Sequence, residues 1–279
     1  VDPGPLRDAL TVLLGVATGV LSALFGVGGA VLSTPGIRLL GASALIAVGT
    51  TLPSIFPSAI SGTARYVKEK MIDWRVAAWT APAGMVASVG GSLLSKRVPG
   101  NGHILMILTA GLLGLTAWRM ARPGAPPPES AAEAEAEGAT DAALVAPDGP
   151  PPAGRDRPTA LVAIGVAAGG LSGLLGVGGG IVMVPAFAEY LGLPLKTAIA
   201  TSLVCVAVLA VPGTITHGLL GNIDWRFAIG LAVGVVPGAR IGAAITLRAT
   251  DARLRKAVSL FFGVIAVVYA SSELAALVR

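Results

Sequence analysis

Charge is scarce in this 279-residue chain: 13% of its residues are Asp, Glu, Lys or Arg, 54% are hydrophobic, and the mean hydropathy is +0.79. A water-soluble domain of this size needs a more charged surface, so a bilayer is the natural solvent. Cysteine is nearly absent. The single Cys205 excludes an internal disulfide and supplies no metal cluster, and as a small apolar residue it fits packing better than a reactive thiol. No nucleophile-base-acid set, metal-ligand spacing or carboxylate pair appears, so neither an enzyme nor a cofactor is expected. The formal charge of +5 is no nucleic-acid signal, because Lys and Arg sit in short loops between apolar runs.

What is present is a series of charge-free runs. Residues Ala9 to Ile37, Leu39 to Ala64, Val76 to Ser95, Val98 to Trp118, Pro158 to Ala188 and Thr197 to Ile223 each reach or exceed the roughly 20 residues that cross hydrocarbon. Phe227 to Leu247 and Ala257 to Ser272 extend the series, with one arginine in the former. The runs are too many to include a cleaved leader, and none is expected.

Residues 123–158 break the pattern with nine prolines and seven acidic against two basic residues, the composition of a disordered linker. The flanking halves are copies. Gly15 to Pro35 returns as Gly165 to Pro185, Thr50-Thr51-Leu52 as Thr201-Ser202-Leu203, and Ile72-Asp73-Trp74-Arg75 unchanged as Ile223-Asp224-Trp225-Arg226. The organisation is therefore a first membrane repeat over 1–122, the Pro/Ala/Glu-rich linker over 123–158, and a second repeat over 159–279.

Loop charge orients the copies. Lys and Arg number four in 65–75, two in 96–103, one in 217–226 and four in 248–256, so equivalent loops face opposite sides and the repeat is inverted. Residues 9–41 and 158–192 must then each enter and leave on one side, as two helical arms around a glycine break. A single helix of roughly 33 residues would reach about 50 Å, too long for one span. The expected fold is all-α and polytopic, with two inverted repeats, each a glycine-broken hairpin plus three transmembrane helices. Both termini are expected outside and the linker in the cytoplasm of a bacterial-type inner membrane.

Gly26-Val27-Gly28-Gly29 and Gly176-Val177-Gly178-Gly179-Gly180 are not nucleotide loops, since neither the Rossmann nor the Walker spacing is met and both lie in apolar sequence. At membrane depth, glycines that unwind a helix expose N–H groups, and the arm after the break points its positive end inward as an anion seat. Close helix packing through small residues is the alternative. The hydroxyls of Thr50, Thr51, Thr201 and Ser202 could bind an ion or bond their own helix. Arg240 stands well inside an apolar run and needs either an anionic partner or a route to the interface. Asp73 and Asp224 fit helix caps and interface anchors, Glu189, Arg38 and Lys196 fit the interface, and His217 is a weak candidate proton relay.

The paired Gly-Val-Gly-Gly…Pro segments, Thr201-Ser202-Leu203 and the Pro237-Gly238-Ala239…Ile241-Gly242-Ala243 stretch resemble the TauE/SafE sulfite exporter family, also called the TSUP family of anion permeases. The first copy departs from the fuller pattern: Ala30 stands where the second has Gly180, and nothing matches Arg240. The resemblance implies a secondary transporter of sulfite or a related sulfur oxyanion or organosulfonate. A small anion would bind between the repeats on N–H groups of Gly28, Gly29, Gly178, Gly179 and Gly180, the hydroxyls of Thr50, Thr51, Thr201 and Ser202, and Arg240. Rocking of the halves would expose it alternately. Expected partners are the anionic substrate, a coupling proton or sodium ion, and lipid. A carboxylate permease, a passive anion channel and a non-transporting scaffold are the rival readings.

Overall fold

The computed structural model describes residues 4–95, 103–121, 157–175 and 178–277, and these form helices and connections only. In the first half, α1 (Pro5–Phe25), α2 (Ala30–Leu39), α3 (Ala44–Lys68), α4 (Trp74–Ser95) and α5 (His103–Ala121) follow in order. In the second, α6 (Pro158–Leu175), α7 (Gly180–Pro185) with its π-helical continuation Ala186–Tyr190, α8 (Leu195–Leu219), α9 (Trp225–Arg248) and α10 (Asp251–Leu277) match them one for one. Pro158, placed in the linker by composition, opens α6, where the missing N–H of a first-turn proline costs nothing. The rest of the linker, apart from Arg157, and Gly176 and Val177 of the second break lie outside the described residues.

Directions follow from contacts. Thr50, near the start of α3, bonds Asp224 beyond the end of α8, and Thr201, near the start of α8, bonds Asp73 beyond the end of α3. The two equivalent helices are therefore antiparallel, which is the inversion that loop charge predicts. The repeats also interlock, because α1 packs along α9 and α6 along α4. Glycine permits this approach. Gly234, Gly238 and Gly242 of α9 rest on the carbonyls of Val12, Val16 and Val20, and Gly165, Gly169 and Gly173 of α6 rest on those of Thr80, Gly84 and Ser88. A methyl group at any of them would overlap backbone, so these are small-residue helix contacts of the membrane type.

Each hairpin turns back at its glycines. Gly29 lies against Thr18 and Ser22 while Gly36 lies against Leu14, so α2 runs antiparallel to α1 and ends on the side where α1 began. α5 and α10 pair with each other, the Ser259 hydroxyl donating to the Ala117 carbonyl at 2.9 Å, and their Leu113 and Phe262 share one buried apolar cluster with Phe25, Val31 and Leu203.

The distribution of side chains is that of a protein dissolved in lipid. Leu219, Val86 and Leu260 are 85%, 72% and 69% exposed, whereas Thr18, Ser22, Ser54 and Ser58 are buried. Four helices, α1, α8, α9 and α10, are long and apolar enough by length and composition to cross a membrane. A large apolar surface around a hydroxyl-bearing interior is stable only where water is absent outside.

Candidate functional site

The two glycine breaks meet. Gly26 ends α1 in the left-handed conformation (φ 70°) with its N–H on the Ser22 carbonyl at 2.9 Å, and Gly28 and Gly29 continue at φ 78° and 85°. Only glycine adopts such a run without strain. Gly178, the counterpart of Gly28, repeats this at φ 87° and faces the Val27 carbonyl, and Gly180 sits on Gly26 and Val27 so closely that a methyl group would overlap their backbone. This contact accounts for the Ala30/Gly180 asymmetry. Gly180 carries the tip of the opposite hairpin, whereas the Ala30 methyl fills an apolar site beside Ile55, Val206 and Ala210.

No side chain caps α2 at Gly29 or α7 at Gly179. The first N–H groups of α2 thus reach the interior without a side-chain acceptor, and they carry the positive end of the helix dipole. Beside them, the buried hydroxyls of Thr18 and Ser22 find no hydrogen-bond partner among the described residues. Unpaired hydroxyls next to an uncapped helix start offer donors to an anion, at a point where leaving them unused costs stability. Ser22 and Ser172 match across the repeat, a signal legible in the sequence but overshadowed there by the glycines.

A small cavity of about 30 Å³ runs from the second break toward the end of α8, lined by Ile55 and Val206, which match across the repeats, and by Ser88, Ser172, Gly178 and His217 among others. It holds about one or two waters. A four- or five-atom oxyanion does not fit in this volume.

The other anticipated residues separate into three groups. The Ser202 hydroxyl reaches the Gly26 carbonyl at 2.9 Å and the Ile199 carbonyl at 2.9 Å, tying α8 to the first tip. The Thr51 hydroxyl donates to the Val48 carbonyl at 3.0 Å and stands 3.3 Å from that of Thr34, so Thr34 is the donor between them and α2 is tied to α3. Thr50 and Thr201 lie away from the tips. Each accepts a backbone N–H from the Ile-Asp-Trp-Arg loop of the other repeat, that of Asp224 at 2.9 Å and that of Asp73 at 3.0 Å. The same aspartates cap α9 and α4 through their carboxylates, which receive N–H groups of Arg226, Phe227 and Val76. Arg240 is not at the meeting point. It is exposed, in an open groove with Arg65, Lys68 and Glu69.

Interface positions behave as their charges suggest. Glu189 pairs with Arg119 at 3.2 Å, Lys196 donates to the Leu247 carbonyl at 3.2 Å, and Arg226 grips Asp8 through two nitrogens. Cys205 is fully buried in α8 among apolar neighbours, a packing role.

Comparison with known proteins agrees with this architecture. The chain is 28% identical over 256 residues to the probable membrane transporter protein YunE of Bacillus subtilis, covering 85% of this chain and 87% of that one. A probable membrane transporter protein of Methanocaldococcus jannaschii is 27% identical over 273 residues, with 91% and 92% covered. The probable membrane transporter protein MamO of Paramagnetospirillum magneticum is 26% identical, over 85% of this chain and 40% of its own length. No solved structure gives a significant match. The family model described as sulfite exporter TauE/SafE matches residues 11–269, and the chain, with its paired broken hairpins, belongs to that membrane-transporter family.

Proposed function

We propose that the protein is a secondary transporter, not an enzyme, that exports sulfite or a related small sulfur oxyanion or organosulfonate by alternating access. The observation that carries this reading is the meeting of two glycine breaks, with the uncapped start of α2 beside the unpaired hydroxyls of Thr18 and Ser22. No Asp or Glu is buried among the described residues, so nothing there opposes a bound anion. Gly28, Gly29, Gly178, Gly179 and Gly180 shape the seat and Ser202 holds one tip in place. Thr51 braces α2 from α3, and Thr50 and Thr201 hold the loops that close the two sides. Arg240 is left out of the site.

Loop charge supports the orientation. Twelve described Lys and Arg residues, from Arg65 to Lys256 and including Arg240, lie on the side where α3 and α9 end, against Arg7, Arg38 and Arg226 on the other. The rich side is cytoplasmic by the positive-inside rule, which places the linker there and the termini outside. Export as the direction comes from the family description.

Protein reconstituted in liposomes should take up sulfite with saturation and counterflow under an imposed proton or sodium gradient. Flux no faster than in empty liposomes, across sulfite, thiosulfate, sulfonates and small carboxylates, would refute carriage of these anions. Carboxylate flux alone would replace the substrate class and leave the site in place.

A further inference from the structure

A second anion site lies on the basic side, away from the meeting point. Between α3 and α9 is an open groove of about 520 Å³ walled by Ser61, Ala64, Arg65, Lys68 and Glu69 of α3 and by Arg240 of α9. The Ser61 hydroxyl donates to the Val236 carbonyl at 2.8 Å and clamps the two helices together at its floor. Three cations face one carboxylate, and none of the three makes an ion pair with any described residue.

The surroundings choose the ligand. Arg240 belongs to an exposed stripe of α9 that carries the apolar Ile229, Val233 and Ile241 and ends at Arg248, and α3 presents a matching exposed stripe of Phe56, Ile60 and Val67. Such stripes face acyl chains, where a lone arginine is costly unless it reaches a headgroup. Behind the groove, Gly62 is packed against Leu203 and Ala23. A lipid has both parts of its structure matched, with a phosphate for the cations and chains for the stripes.

We propose that this groove binds the headgroup of an anionic phospholipid in the leaflet on the basic side of the protein, with Arg240, Arg65 and Lys68 around the phosphate. The site is independent of which anion the protein carries, so failure of the transport reading leaves it standing.

The test is lipid retention by the purified full chain, measured by native mass spectrometry and by thermal melting, with phosphatidylglycerol, phosphatidylcholine of the same chains, inorganic phosphate and sulfite as separate additions. Phosphatidylglycerol should be retained and protect the protein where phosphatidylcholine does not. Arg240→Gln should weaken it about fivefold, and Arg65→Gln, Lys68→Gln and Arg240→Gln together about a hundredfold. Arg240→Lys should keep most of the binding, and Arg253→Gln, on the same side but not among the groove residues, should leave it unchanged. Equal binding of the two lipids overturns the proposal, as does wild-type affinity in Arg240→Gln should the triple variant not fold. Protection by phosphate or sulfite equal to that by phosphatidylglycerol would assign the groove to a free anion instead.

Discussion

The reciprocal bonds between threonines and loops predict opposite effects from equivalent mutations. Thr50 receives the Asp224 N–H on the side where α3 begins, and Thr201 receives the Asp73 N–H on the side where α3 ends. If the halves rock, each bond must break when its own side opens and persist when the other does. Valine keeps the shape of threonine and removes the acceptor, so Thr50→Val leaves a part-buried N–H unpaired in the state closed on that side. The loss is about 1 kcal/mol, or roughly a fivefold rise in opening there. Thr201→Val should produce the same rise on the basic side, so the two variants should differ by about 25-fold in the ratio of the openings. A Ser88→Cys reporter in a Cys205→Ala background would line the cavity between Gly178 and His217, and its rate of reaction with an impermeant thiol reagent from each side reads the two openings. Both variants shifting exposure to the same side, or neither moving it by more than about twofold, would refute the assignment of these bonds to the two closures.

Two further outcomes follow from packing. Gly180→Ala should destabilise the protein by about 1–3 kcal/mol, since its methyl group meets the Gly26 and Val27 backbone, while Ala30→Gly at the equivalent position should cost about 1 kcal/mol through lost burial and added backbone freedom, both read by thermal or denaturant unfolding in detergent. Tyr66→Phe should cost about 1 kcal/mol in the same assay, because the fully buried Tyr66 hydroxyl donates to the Ala23 carbonyl at 2.7 Å and its loss leaves that carbonyl short of a partner.

Much of the fold was legible because membrane folding imposes strong local rules. Apolar length marked the spans, Lys and Arg in loops marked the two copies as opposite in orientation, and the duplicated Ile-Asp-Trp-Arg set the register of the repeats. The hairpins followed by elimination, since an inverted repeat with these loop charges requires both long segments to turn back. Side-chain partnerships were less legible. Thr50 and Thr201 read as ligands because paired hydroxyls near a glycine break suggest an ion, yet their acceptors are taken by loops more than a hundred residues away. Arg240 read as a buried charge because linear distance from the helix end measures depth poorly when a neighbouring helix supplies a basic groove.

The sequence by itself determined that the chain lives in a bilayer, that it is duplicated and inverted, and that each copy breaks at glycine. These properties depend on composition, spacing and backbone freedom, which are local. Only the tertiary structure decided that the two breaks touch, that Gly180 must be glycine where Ala30 need not be, and that Thr18 and Ser22, rather than Arg240, stand at the meeting point. Each of those depends on which backbone or side chain of the other repeat arrives at a given atom, and such arrivals are set by the packing of whole helices against one another.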